Sequence, residues 1–338
     1  MNCPASGAPP VTSTPITFIN RKTAIPGWVN TIHEDHPRSY AYRKGEHLVS
    51  LYGRAHGSFT ISSGLTVSQK ADTELYAWSD QVFGATEIVG MTSTVGHAVA
   101  GVWRPGLLFQ NHINHALGVT DSERLSADQA LGLLIEKLYD LFLYIEPTQT
   151  GLAAYGHKTR ELLILAATEA ENAWRRYAAQ GGILAQGGRY TTNDYVRLKA
   201  PLFLGEYRVH VKPFPTVGYV VPFGTWNTNA PTQSLPWYEA YNKTKHDRGA
   251  HFGEASLARC VEAVAACIVM FAVRFSPIAL YEGRAITSSL FNQLFDLSLI
   301  DPDPRTFYVP DIDVSERRPD LFCGDGHLAP WVTDPLVL

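Results

Sequence analysis

The stretch 252–275 constrains the fold more than any other part of this 338-residue chain. Its apolar residues recur at helical spacing and form one stripe: Ala255, Ala258, Val261, Ala265, Ile268, Ala272 and Phe275. Val264, Cys267 and Phe271 widen this stripe until it covers most of the helix circumference. A helix that is apolar on nearly every side must be surrounded by other elements. Residues 261–275 are too few to span a bilayer and include Glu262 and Arg274. The stretch therefore predicts the central helix of a bundle, ending before Pro277.

Two further helices are predicted earlier in the chain. The first begins at the capping-box pattern Ser126-x-x-Gln129 and ends before Pro147, and the second covers about 156–179 and stops at Gly181-Gly182. The second helix has a regular apolar stripe: Leu163, Ala166, Ala170, Ala173, Trp174 and Tyr177. Its other side carries charges that predict ion pairs along a solvated face: Arg160, Glu161, Glu169, Glu171, Arg175 and Arg176.

Between these helices and the central one, the hydrophobic period changes from 3.6 to 2. Residues 207–212 alternate strictly, and residues 217–223 can pair with them across a short turn. This pattern predicts a β-hairpin at about 202–223, with Arg208, His210 and Lys212 on its solvent face. Residues 290–300 predict a last short helix.

These patterns predict an α+β fold, mainly a helical bundle with an inserted β-hairpin and irregular N- and C-terminal extensions. The predicted divisions are a flexible leader or arm over 1–45, a region over 46–120 with short apolar runs between glycines, a helical domain over 121–300, and a loop-rich, proline-containing tail over 301–338. No known fingerprint occurs in the first 120 residues.

Charge and cysteine content narrow the classes of function. The formal net charge of −4 argues against bulk electrostatic binding to nucleic acid, so any such binding needs a local basic patch. The four cysteines are too few and too scattered for a disulfide framework. The first 26 residues have neither a basic start nor an apolar region of the kind that export signals carry. The chain is therefore expected to be cytoplasmic and to have no contact with a membrane.

Two histidine pairs suggest metal sites, but neither has convincing ligand spacing. In His33-Glu34-Asp35-His36 the histidines are not at the i, i+4 spacing of a zinc helix, and Pro37 follows. His112-x-x-His115 lacks a nearby cysteine or acidic partner. No metal and no small-molecule cofactor are expected.

The stretch 236–248 concentrates aromatic, cationic and proton-carrying side chains. Pro236 suits the first turn of a helix, which would place Trp237, Tyr241 and Thr244 on one face. Asn242 then lies one turn before His246 on the adjacent face. An amide and an imidazole flanked by Lys243, Lys245 and Arg248 could bind a phosphate and move a proton beside it. The alternative is a short amphipathic helix with core aromatics and solvated charges.

The second helix, followed by Tyr241-Asn242-x-x-Lys245-His246 before the apolar helix, resembles the HEPN superfamily over about 125–275. Members are small helical bundles found in ribonuclease toxins, bacterial defence proteins and non-catalytic binding proteins. Their signature is an arginine, a polar residue that is often asparagine, three residues and a histidine. Asn242 and His246 match the last two positions, and Tyr241 occupies the arginine position. The acidic residue that the family carries on the earlier helix is either Glu169 or Glu171.

The resemblance implies a metal-independent RNA endonuclease of toxin or phage-defence type, with its site built across a homodimer. His246 would carry the proton, Asn242 would orient it, and Tyr241 would donate a hydrogen bond or stack on a base. Substrate-binding cations would be Lys243, Lys245 and Arg248. Because a phenol supplies no positive charge, the resemblance equally implies a catalytically inactive binding or scaffolding module. In that case Asn242 and His246 should be buried and hydrogen-bonded.

Overall fold

The computed structural model describes residues 14–22, 38–52, 55–56, 60–61, 65–70, 72–108, 110–185, 187–283, 285–314 and 328–338. The chain forms two compact units. Unit 1 comprises Met1–His97, Arg104–Phe109 and Asp303–Val332, and unit 2 comprises Ala98–Trp103, Gln110–Pro302 and Thr333–Leu338.

Unit 1 contains seven short strands, one α-helix and a 3-10 turn at Pro304–Thr306 among its described residues. The strands are β1 (Ile16–Ile19), β2 (Arg38–Lys44), β3 (His47–Tyr52), β4 (Ala55–His56), β5 (Thr60–Ile61), β6 (Leu65–Lys70) and β7 (Thr86–Gly90), and the helix is α1 (Leu75–Phe83). Five of the strands form an antiparallel sheet in the order β6-β3-β2-β1-β7, while β4 pairs with β5.

Side chains alternate across this sheet and form a core on each of its faces, as the two-residue period of a strand requires. One face packs against α1 through a single cluster: Ile16, Phe18, Ala41, Leu48, Leu75, Trp78, Phe83 and Ala85. The opposite face packs against the region 307–314. The two contribute to one cluster of buried side chains: Tyr40, Tyr42, Val49, Leu51, Met91, Phe307, Val309, Ile312 and Val314. Segments that were expected to be a leader (1–45) and a loop-rich tail (301–338) thus contribute strands and core residues to unit 1.

Unit 2 holds most of the helices. They are α2 (Gln110–Ala116), α3 (Asp121–Tyr144), α4 (Gln149–Leu152), α5 (His157–Gln180), α6 (Thr192–Tyr195), α7 (Pro236–His246), α8 (Arg248–His251), α9 (Leu257–Phe275), α10 (Ile278–Glu282) and α11 (Ile286–Leu294). Its strands are β9 (Tyr207–Val211), β10 (Tyr219–Val220) and β11 (Phe295–Leu299). Two further strands, β8 (His97–Val99) and β12 (Val332–Asp334), lie where the chain passes from one unit to the other.

Helix α9 is the central element of unit 2, as its composition predicts. Every residue of α9 from Ala263 onward is buried. The Sγ atoms of Cys260 and Cys267 donate to the carbonyl oxygens of Thr159 and Ala166, at 3.0 and 3.2 Å. Because both helices advance by seven residues between these contacts, α5 and α9 run in the same direction in a heptad-like register.

Helix α3 runs antiparallel to α5. Near its start, the Glu123 carboxylate accepts a bond from Arg176 at 3.1 Å, and two turns before its end Lys137 pairs with Glu161 at 2.9 Å. The helix begins at Asp121, with the Thr120 hydroxyl accepting from the amide of Glu123, so its predicted start at Ser126 was five residues too late. Helix α5 agrees with its predicted bounds to within one residue.

The predicted hairpin is confirmed: β9 pairs with β10 through Tyr219 opposite His210. Residues 295–299, predicted as part of a helix, instead form β11, which pairs along the other edge of β9 with Phe295 opposite Val211. The helical pattern in that region ends at Leu294. The result is a three-stranded sheet with β9 in the centre.

Of the residues that the structure describes, 47% are helical and 17% lie in strands, and the largest sheet has five antiparallel strands. The prediction of a mainly helical bundle with irregular extensions is therefore wrong, although the α+β assignment agrees in part. It failed because β1 pairs with β7, about 70 residues later, which local periodicity does not report, and because the hairpin of β2 and β3, closed by a turn at residues 45–46, was not predicted. Within the described chain, every helix is too short or too polar to cross a membrane.

Candidate functional site

Helix α7 forms and ends as its sequence predicts. Pro236 occupies its first turn, and Trp237, Tyr241 and Thr244 are buried on one face. The helix ends at His246 because Asp247 leaves helical geometry, and the Asp247 carboxylate accepts the amide of Ala250 at 3.0 Å to cap the short helix α8. The short helix α8, which carries Arg248, therefore follows directly on the last turn of α7.

Tyr241, at the position where the HEPN signature has arginine, lies inside the fold and is only 1% exposed. Its hydroxyl donates to Glu171 Oε2 at 3.3 Å and accepts from Lys245 Nζ at 2.8 Å. The Tyr238 hydroxyl donates to the other oxygen of Glu171. Burial, followed by this hydrogen bond, raises the pKa of Tyr238 above its ordinary value, so the Tyr238 phenol remains a protonated donor.

This network distinguishes the two candidate acids on α5. Glu171 faces α7 and holds two of its tyrosines, whereas Glu169 is exposed and lines a cavity between α3, α5 and α9. Two residues correspond to 200° around a helix, which explains why the carboxylates point to different neighbours. Only Glu171 is positioned to act with the α7 residues.

Asn242 and His246 have different environments, although they lie one turn apart. The Asn242 amide nitrogen donates to the carbonyl oxygen of Tyr238 at 3.1 Å, so its hydrogen bond goes to its own helix backbone. His246 is exposed, and no hydrogen bond or ion pair to its side chain occurs within the described residues. The imidazole is therefore accessible to a ligand, while the amide is committed to the helix.

The three predicted substrate-binding cations also differ. The Lys243 ammonium is shared between Glu239 at 3.2 Å and Glu254 at 3.7 Å. Lys245 and Arg248 are exposed, and the bond from Lys245 to the Tyr241 hydroxyl raises the pKa of that ammonium. Lys245 and Arg248 therefore precede and follow His246 in the chain as exposed cations without a direct ion pair in the described structure, although the charge of Glu171 acts on Lys245.

Sequence reasoning missed Arg160. Its Nε and Nη2 atoms donate to the carbonyl oxygen of Thr244 at 3.2 and 3.1 Å, which places a guanidinium at the C-terminal end of α7, where the helix dipole favours a cation. The two residues are 84 positions apart in the chain. No local pattern could have indicated their contact, so Arg160 was grouped with solvated charges.

Aromatic side chains cluster at the start of α5. The Phe252 ring lies 5.5 Å from that of Tyr155 and 5.0 Å from that of His157, between ring centroids. Tyr155 is 55% exposed, and its segment is tied to the start of α9 by the bond from the Leu257 amide to the Ala154 carbonyl oxygen, 2.9 Å long. We name Tyr155, His157, Arg160, Lys245, His246 and Arg248 the basic surface. Its residues come from the last turn of α7, from α8, from the first turn of α5 and from Tyr155, two residues before α5.

One of the two histidine pairs considered as metal ligands lies within the described residues. His112 and His115 lie on α2, and His33 to His36 fall outside the described residues. In the described part of the chain, no group of three or more His, Cys, Asp or Glu side chains is arranged to hold a metal ion.

Replacing Tyr241 with phenylalanine is expected to lower the free energy of unfolding by about 1 to 2 kcal/mol, because it removes the hydroxyl that joins Glu171 to Lys245. Urea denaturation followed by circular dichroism measures the change. Tyr155→Phe is the matched control, since its exposed hydroxyl should matter by less than about 0.5 kcal/mol. Equal stabilities of the two variants would contradict a structural role for the network.

Comparisons of the chain with protein-family models, curated proteins and solved structures gave no significant match. Its function must therefore be inferred from its residues and their geometry.

Proposed function

We propose that this chain is a HEPN-like RNA endonuclease of toxin or phage-defence type that needs no metal ion and uses His246 as its proton carrier. The observation that carries the proposal is the exposure of His246, free of intramolecular partners in the described structure, between the cations Lys245 and Arg248. An imidazole is the side chain best suited to accept and return a proton near neutral pH.

The proposed reaction is an internal phosphoryl transfer. His246 takes the proton of an RNA 2′-hydroxyl as its oxygen attacks the adjacent phosphorus, and the bond to the 5′-oxygen breaks. That oxygen takes up a proton, which leaves a 2′,3′-cyclic phosphate and a 5′-hydroxyl end. Arg248, Lys245 and Arg160 supply positive charge for the phosphorane-like transition state. We place the second proton-transfer group on another copy of the chain, whose own His246 would meet the first across a two-fold axis.

We propose that Lys245 supplies the positive charge that the arginine of the HEPN signature would provide. Tyr241 cannot contribute charge itself, but its hydroxyl accepts from the Lys245 ammonium at 2.8 Å and is in turn bonded to Glu171. The acid, the phenol and the cation form one chain of hydrogen bonds that orients the lysine at the surface. The charge that the signature takes from an arginine would then come from the residue immediately before His246.

The alternative is an RNA-binding module without catalysis, and one observation favours it. The Asn242 amide is bonded to the Tyr238 carbonyl oxygen, which leaves His246 without an orienting side chain within the described chain. Tyr155, exposed beside His157 and Phe252, could still stack on an unpaired base while the cations hold phosphates. Such a module would bind single-stranded RNA and leave it intact.

Incubation of the full chain with end-labelled single-stranded RNA in the presence of EDTA tests the two functions. We expect cleavage that leaves cyclic-phosphate ends, and a loss of rate of about 10²- to 10⁴-fold in His246→Ala, the typical contribution of general acid–base catalysis. The matched control is His115→Ala, since His115 is an exposed histidine on α2 and is not part of the basic surface.

Fluorescence anisotropy with the same RNA separates the remaining outcomes. Binding without cleavage, weakened by Arg248→Gln, would contradict the nuclease and establish the binding module. Cleavage that is unchanged in His246→Ala would assign the activity to another site. RNA that is neither bound nor cut would overturn both functions. An RNA substrate and the free thiols of Cys260 and Cys267 both suit a cytoplasmic location, which forms part of the proposal.

A further inference from the structure

A cavity of about 470 Å³ lies between α3, α5 and α9 in unit 2 and opens to solvent on one side. Small-molecule sites typically have volumes of about 300 to 1,000 Å³. The room arises because alanines occupy the positions where the three helices approach each other: Ala127, Ala130, Ala170 and Ala173. None of the residues of the basic surface lines this cavity, so it is a separate feature of the unit.

One end of the cavity is apolar. Leu131 and Leu134 of α3 face Met270 and Phe271 of α9, and all four are buried. The thiol of Cys267 also lies here and donates to the Ala166 carbonyl oxygen at 3.2 Å. Because burial raises its pKa, the thiol is uncharged and lines the cavity without acting as a nucleophile. This end suits a hydrocarbon chain.

The other end of the cavity has an excess of positive charge, because two arginines, Arg274 and Arg176, share the single carboxylate of Glu123. Glu123 Oε1 accepts hydrogen bonds from Arg274 Nε at 2.7 Å and from Arg176 Nη1 at 3.1 Å, and it lies 2.6 Å from Arg274 Nη2 in an ion pair. Arg274 is 8% exposed and also donates to Gln180 at 3.2 Å, so it is fixed in place. The Arg176 side chain is 46% exposed and has donors left over, which makes it the group available to a ligand.

The second acidic residue of the lining makes the two ends of the cavity differ in charge. Glu169 precedes Arg176 by seven residues on α5, a distance of about 10 Å along the helix axis. Its charge acts on Cys267 at the apolar end. An anion is therefore repelled from that end and attracted to the end formed by Arg176, Arg274 and Glu123, where the positive charges are in excess.

We propose that this cavity binds a small amphipathic anion, a medium-length hydrocarbon chain with a carboxylate head, with the head at Arg176 and the chain between Leu134 and Phe271. A guanidinium with free donors suits a carboxylate in a bidentate arrangement. The site is independent of the RNA chemistry proposed for His246, and it can be tested whether or not RNA is cut.

Isothermal titration of the full chain with decanoate, below its micelle concentration, tests the proposal. We expect one site per chain and an affinity for decanoate at least tenfold above that for decan-1-ol, which has the same tail and no charge. Arg176→Gln should weaken decanoate binding about tenfold and leave decanol binding unchanged. Arg175→Gln is the matched control, because this neighbouring exposed arginine does not line the cavity.

A second variant keeps the test decisive. Ala173→Phe should block both probes by filling the cavity while circular dichroism shows an unchanged helix content. If that variant does not fold, Arg176→Gln alone decides between the outcomes. Equal affinities for decanoate and decanol, equal effects of the two arginine substitutions, or no saturable binding of decanoate would each overturn the proposal.

Discussion

Replacing Trp174 with alanine is expected to lower the free energy of unfolding by about 3 to 5 kcal/mol, the range for removing a large aromatic from a core. Trp174 is 0% exposed. Its ring centroid lies within 4.9 to 6.2 Å of five other aromatic rings: Trp226, Tyr238, Tyr195, Trp237 and Phe223. These partners come from α6, α7 and the loop before α7, so Trp174 holds the long segment between α5 and α9 against α5. Chemical denaturation followed by circular dichroism measures the loss.

Trp174→Phe is the control for this prediction. The Trp174 Nε1 atom is buried without a hydrogen-bond partner in the described structure, so phenylalanine sacrifices volume but no hydrogen bond. Its cost should be less than half that of alanine. A loss below about 1 kcal/mol for Trp174→Ala would contradict the central role of this ring in unit 2.

Replacing Arg274 with leucine is expected to lower the free energy of unfolding by about 3 kcal/mol, because it breaks a nearly buried ion pair. The Glu123 carboxylate would lose the hydrogen bond from Arg274 Nε and its ion pair with Nη2, and the side-chain oxygen of Gln180 would lose the hydrogen bond from Nη1. The expected cost lies at the lower end of the range for buried pairs, since Glu123 is 24% exposed and keeps its bond to Arg176.

Two further variants separate the pair from the loss of packing. Arg176→Gln removes the more exposed partner of the same carboxylate and should cost less than about 1 kcal/mol. In a double-mutant cycle, Arg274→Leu combined with Glu123→Leu should recover much of the lost stability, because no unpaired carboxylate then remains. Additive effects of the two substitutions would show that the ion pair contributes nothing.

Sequence periodicity predicted the elements whose signal lies within one helix or one hairpin. Helix α9 is apolar on nearly every side, so its central position followed from composition. The hairpin of β9 and β10 needs only a short turn between its strands. The start of α3 was predicted less well, because the helix begins at Asp121, where the Thr120 hydroxyl accepts from the amide of Glu123, and not at Ser126.

Long-range pairing accounts for the elements that were missed. Residues 295–299 follow directly on a helical pattern, and only their pairing with β9, more than 80 residues earlier, makes them a strand. The sheet of unit 1 likewise joins segments whose hydrophobic periodicity is too weak to predict a strand from the sequence alone. Hydrogen-bond partners and burial decide strand formation in such cases, and neither is a local property.

The candidate site divides in the same way. The sequence by itself determined that Trp237, Tyr241 and Thr244 share the buried face of α7 and that Asn242 and His246 lie one turn apart, because helical spacing depends only on position in the chain. Only the tertiary structure decided that Glu171 rather than Glu169 meets Tyr241, and that Arg160 reaches the end of α7. These contacts depend on how α5 and α7 are rotated about their axes when they pack. That rotation is set by side chains distributed over the whole of unit 2.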